Sequence, residues 1–95
     1  MRYRRNNGYI LRSVMNKNML FPIGTSTQEM QGTIIFNEIA AFVWNQMDEF
    51  VTKEHLVGTI VNEYDVSYES AETDIDALLK TLLSYSLISC DEEVG

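Results

Sequence analysis

Histidine and cysteine occur once each in this chain, as His55 and Cys90. A single cysteine excludes an internal disulfide and any all-cysteine metal site, and a single histidine removes the usual His-rich metal and acid–base constellations. His55 falls in the first turn of an amphipathic segment, on the side away from Leu56 and Ile60, and reads as a solvated side chain. Cys90 precedes Asp91, Glu92 and Glu93, an acidic setting opposite to the electropositive one that reactive thiols require. Glu69, Glu72, Asp74 and Asp76 are numerous enough to suggest a carboxylate pair or a cation site, but acids along a helical face are the ordinary composition of a solvated surface. There is no Gly-rich phosphate loop and no G-x-S-x-G elbow. These residues point to a protein that is not an enzyme and needs no cofactor and no metal.

The elements that could position a binding site are more distinct. Tyr9 to Val14 alternates, with Tyr9, Leu11 and Ser13 on one face and Ile10, Arg12 and Val14 on the other. Met15 to Asn18 makes a turn, since Asn tolerates a left-handed backbone. Met19 to Ile23 is a second strand, with Pro22 confined to its end or edge. Gly24 to Gln28 is a polar loop. Thr33 to Phe36 (TIIF) is the clearest strand signal, β-branched and aromatic, with Gly32 suited to a bend before it and Glu29–Gln31 available to extend it backwards.

The second half has helical periods. Asn37 is an N-cap, and Ile39 to Trp44 is apolar nearly all round, as a central buried helix must be. Thr52 caps a second helix carrying Leu56, Val57, Ile60, Val61 and Tyr64, weakened at Gly58. Ser67 caps a third, Tyr68 to Ser84, with a core stripe of Ala71, Ile75, Leu78 and Leu82. Leu79 and Leu83 lie on one shoulder of that stripe and Asp74 and Thr81 on the other. Leu87 and Ile88 form a closing apolar clasp. The predicted order is β-β-β-α-α-α: an α+β, winged-helix-like fold with three N-terminal antiparallel strands followed by three helices.

Ninety-five residues, 45% apolar and 22% charged, fit one small globular domain. The net charge of −7 is unevenly spread, with +5 over residues 1–17 and −12 over the remainder. We expect residues 1–8 to be a basic N-terminal arm, packed on its own acidic body, solvated or touching nucleic acid, and residues 89–95 to be a frayed acidic tail. Phosphate binding needs a basic face, so the acidic body disfavours a nucleic-acid partner. No apolar run is long enough for a membrane span and no signal-peptide core forms, so no membrane partner and a cytoplasmic location are expected.

Few strands leave edges open. The strand ending at Phe36 is pinned by the buried helix that follows, and its free edge can accept an extended peptide through backbone hydrogen bonds. Side-chain pockets must then come from a neighbouring helix. The third helix is the candidate, because Leu79 and Leu83 extend its apolar surface. Leu79 reads better as packing on the second helix; for Leu83, groove and core stand level.

The run FNEIAAFVW (Phe36 to Trp44), followed by TKEHL (Thr52 to Leu56), EYDV (Glu63 to Val66), D-I-x-x-L-L-x-x-L (Asp74 to Leu82) and a terminal Leu87–Ile88, resembles the PqqD-like proteins, the stand-alone RiPP recognition elements. The likeness covers Ile10 to Ile88. It departs at Ser86, where a glycine is expected, and at Leu83, where the pattern tends to be polar. The resemblance implies one PqqD-like domain over 1–95, a non-catalytic peptide chaperone. Such a protein binds the leader of a ribosomally made precursor peptide and presents it to a modifying enzyme, often a radical SAM protein with auxiliary iron-sulfur clusters. It implies that the leader adds antiparallel to Thr33, Ile34, Ile35 and Phe36 and is covered by some of Asp76, Leu79, Lys80 and Leu83, with Phe36 competing as a core residue. The acidic body adds that a leader with basic residues should associate at salt-sensitive rates. The rival readings are a winged-helix DNA-binding regulator, against which Glu54, Glu63, Glu69, Glu72, Asp74 and Asp76 weigh, and a small adaptor subunit without a peptide groove.

Overall fold

A computed structural model describes residues 1–23 and 34–91. The loop Gly24–Gln28, the segment 29–32, Thr33 and the tail beyond Asp91 lie outside the described residues. The elements are β1 (Arg2–Arg5), β2 (Tyr9–Val14), β3 (Lys17–Pro22), β4 (Ile34–Phe36), α1 (Glu38–Gln46), β5 (Val51–Thr52), α2 (Lys53–Tyr64), α3 (Tyr68–Ser84) and β6 (Ile88–Asp91). The fold is α+β, with the three expected strands as an antiparallel meander β2-β3-β4 followed by three helices.

The meander is set by local chemistry. Val14 pairs with Lys17, which leaves Met15 and Asn16 as a two-residue turn with φ of 52° and 66°. That doubly left-handed turn matches the strand twist, and Asn16 adopts it readily. Pro22 is the last residue of β3, opposite Tyr9 and beyond the reach of β4, which pairs with Asn18 to Leu20. A residue without an N–H is tolerated there. Leu20 and Phe36 point into the core, while Ile35, between its neighbours on the pleat, is 56% exposed.

All three caps form as expected. Asn37 accepts from the Ala40 N–H at 2.8 Å, Thr52 from that of His55 at 3.1 Å, and Ser67 from that of Ser70 at 3.2 Å. Ala40, Ala41, Val43, Trp44 and Met47 are buried along or just after α1, with Phe36 edge-on to Trp44 at 5.7 Å between ring centroids. Gly58 is exposed on α2, and a Cβ added there would meet nothing within 4 Å. Gly58→Ala should therefore stabilise the protein by about 0.5–1 kcal/mol, read as a higher urea midpoint, because the helix gains propensity without a clash.

Of the alternatives open for the basic N-terminal arm, packing on its own acidic body is the one formed, and as a strand: β1 is the central strand of a second sheet, β5-β1-β6. The expected fraying of the tail does not begin at residue 89, because Ser89, Cys90 and Asp91 belong to β6, where they pair with Arg4, Tyr3 and Arg2. The basic residues are consumed internally. Arg2 meets Asp91 at 2.6 Å, Arg5 donates to the Trp44 carbonyl at 3.0 Å, and Arg2 and Arg4 both lie over the Phe50 ring. A strand of sequence RYRR with only Tyr3 buried carries no apolar alternation, so periodicity could not reveal it.

Burial raises the Tyr3 and Tyr64 phenols above their usual value, and a hydrogen bond to Asp76 raises the Lys53 ammonium. All three shifts favour the protonated form in the folded state. Their stabilisation is complete below about pH 10 and is lost as pH rises through the raised values. Urea midpoints should fall between about pH 8 and about pH 11, and Tyr3→Phe should reduce that fall.

Candidate functional site

β4 pairs with β3 on one side, and among the described residues no strand pairs with its other side. Backbone groups of alternate residues therefore face outward along that edge. Beside it lies a groove of about 190 Å³ between β4 and α3. Its strand wall is Ile34, Ile35 and Phe36, and its helix wall is Leu78, Thr81, Leu82 and Tyr85. Ala40 and Leu87 close the base, and the exposed cap residue Asn37 also lines it. Phe36, Ala40, Leu82 and Leu87 are buried, Ile34 and Leu78 half-buried, and Ile35, Thr81 and Tyr85 exposed at the rim.

The groove's far end depends on a single turn. α3 stops at Ser84, and Ser86 takes a left-handed backbone with φ 58°. That conformation explains why a glycine is expected here: a Cβ disfavours it. Asn6 compensates. Its side chain donates to the Ser86 carbonyl at 2.8 Å, and its backbone N–H donates to the Leu87 carbonyl at 2.9 Å. The turn sets Tyr85 at the rim and returns Leu87 to the base.

The sequence-derived site residues separate into groups. Ile34, Ile35 and Phe36 come together along the groove, with Phe36 serving both as wall and as core. Thr33 lies outside the described residues. Leu79 is 2% exposed and belongs to the core, whereas Leu78, placed in the core stripe by the periodicity, faces the groove. Asp76 and Lys80 stand on the side of α3 that meets α2, where Asp76 pairs with Lys53 at 3.3 Å and Lys80 at 3.8 Å. Leu83 is 37% exposed and lines no part of the groove. These four helix positions lie roughly 100–200° round α3 from Leu78. The groove thus occupies the Asp74–Thr81 shoulder, opposite to the one that apolarity alone selects. Tyr85 is the available signal: an aromatic residue one step past the helix end is 61% exposed and needs a reason to be there.

Of the groove residues only Tyr85 is titratable, and His55 and Cys90 both lie elsewhere. Among the described residues no group of His, Cys, Asp and Glu could hold a metal ion, and no helix is long and apolar enough to cross a membrane. Among the described residues the arrangement offers an unpaired strand edge and an apolar trough. It can hold an extended chain by its backbone and sort its side chains.

The sequence profile described as coenzyme PQQ synthesis protein D (PqqD) matches residues 19–88. No curated protein matches the sequence. Among solved structures, TbiB1 in complex with the TbiA(beta) leader peptide superposes with a TM-score of 0.72 at 17% sequence identity, covering 95% of this chain and 99% of that one.

Proposed function

This chain belongs to the PqqD family, and from that membership we propose that it is a cytoplasmic, non-catalytic peptide chaperone for a ribosomally made precursor. The leader of the precursor adds as an antiparallel strand to β4, from Ile34 to Phe36, and lies under Leu78, Thr81, Leu82 and Tyr85 of α3. The single observation that carries this reading is the β4 edge, open among the described residues, beside an apolar groove. A structural neighbour determined with a leader peptide supports it. The partner that receives the peptide is a modifying enzyme, a radical SAM protein with auxiliary iron-sulfur clusters.

The mechanism is one of local concentration. Bound to both leader and enzyme, the chaperone turns delivery of the core into an effectively intramolecular event, with effective concentrations reaching the millimolar range for short connections. No bond is made or broken by the chaperone. Backbone hydrogen bonds supply affinity, and the groove supplies selection through every second side chain.

The test searches the reading frames beside the gene for a short precursor peptide and titrates it calorimetrically, cut into leader and core halves. The leader half should bind as tightly as the whole precursor and the core half should not bind. A core half that binds alone, or a random DNA duplex that binds at low salt while the leader does not, contradicts the proposal.

A further inference from the structure

The groove does not end with β4. A second cavity, of about 260 Å³, opens where α1 begins, and it shares Asn37, Ala40 and Leu78 with the first. The two cavities are therefore neighbours, the first lying between the Tyr85 turn and β4 and the second at the start of α1. The second is walled by Ile39, Ala77 and Leu78 and carries Asp74. Across both linings Asp74 alone bears a charge at neutral pH, and it takes no part in the ion pairs formed among the described residues, which join Arg2 to Asp91 and Asp76 to Lys53 and Lys80. The start of α1 presents about half a positive charge. The full charge of Asp74, with Glu38 in the first turn of α1, outweighs it.

A peptide added to β4 has a direction. The meander is antiparallel throughout, and antiparallel pairing is slightly more stable per residue. In that sense the guest's N-terminal residues pass Phe36 and enter the second cavity. Apolar walls with a carboxylate among them suit a long cationic side chain, whose stem packs while its head stays polar. Resting on the peptide-binding reading above, we propose that the second cavity is a subsite for a lysine or arginine of the bound peptide, with Asp74 as its counter-ion. Side chains on one face of a strand recur every second residue. The basic residue therefore stands two or four positions before the apolar side chains that fill the β4–α3 groove.

The experiment selects a displayed library of random twelve-residue peptides on the full chain. Lysine or arginine should be enriched at that even spacing. A synthetic consensus peptide should lose roughly five- to tenfold in affinity on Lys→Gln, and the same on Asp74→Asn. Combining both changes should cost no more than either alone, and Asp74→Lys should shift the selection to acidic residues. Asp74 is exposed on α3, and circular dichroism checks that its variants remain folded. If selected peptides are blocked by Thr81→Trp but show no basic preference, or are indifferent to Asp74→Asn, the subsite is overturned while the groove stands. If Thr81→Trp leaves them bound, or none are selected, the groove reading fails and the subsite fails with it.

Discussion

Thr81→Trp will abolish peptide binding, lowering affinity by more than roughly a hundredfold, while Leu83→Trp two residues on will leave it within about twofold. Both positions are exposed on α3, so both variants should keep the fold. They differ in direction. Thr81 stands at the rim of the groove opposite Ile34–Phe36, and an indole there occupies the space a guest strand needs. Leu83 lies on the other shoulder, outside the groove. The pair separates a site set by geometry from one set by apolarity, which favours Leu83. Equal losses in both variants, or a loss confined to Leu83→Trp, would place the peptide on the opposite face of the helix. Isothermal titration with the leader half reads the outcome.

Trp44→Ala should cost about 3–5 kcal/mol of stability, the usual range for removing a large buried aromatic. A domain of this length has roughly 5–14 kcal/mol in all, so the variant should keep roughly 0–11 kcal/mol and unfold at a much lower urea concentration. Trp44 is buried beside Phe36, the last residue of β4, and its carbonyl accepts from Arg5. Its loss removes the support under the strand edge, so peptide affinity should fall even under conditions where the variant is folded. Urea melts followed by circular dichroism give the stability. A midpoint close to that of the parent protein would mean that the α1 core repacks without it.

Much of this architecture is legible in the chain because strong local signals coincide with tertiary demand. Asn37, Thr52 and Ser67 each cap the helix expected of them, and Ile34–Phe36 occupy the strand position that β-branched and aromatic residues favour. The second sheet is not legible. RYRR, VT and ISCD are too short and too polar for periodicity, and they are held by one another rather than by their own patterns. The groove face of α3 is hidden for a related reason. Leu78 and Leu79 are adjacent, and periodicity cannot tell which of two neighbouring leucines faces the core and which faces a groove until the sheet is in place. Thr81 looks like surface because it is polar, yet a groove rim open to a peptide backbone is a wet place where a hydroxyl is at home.

Peptide capture requires β4 to receive a foreign backbone, and hydrogen exchange measures that directly. In the complex with the leader half, the amides of Ile34–Phe36 that face away from β3 should slow by at least roughly tenfold, and alternate amides of the peptide should slow with them, the pattern of an added antiparallel strand. The edges of β2 and β6 should be unchanged. Tight binding with unaltered exchange along β4, or with protection appearing at β2 or β6 instead, would contradict it.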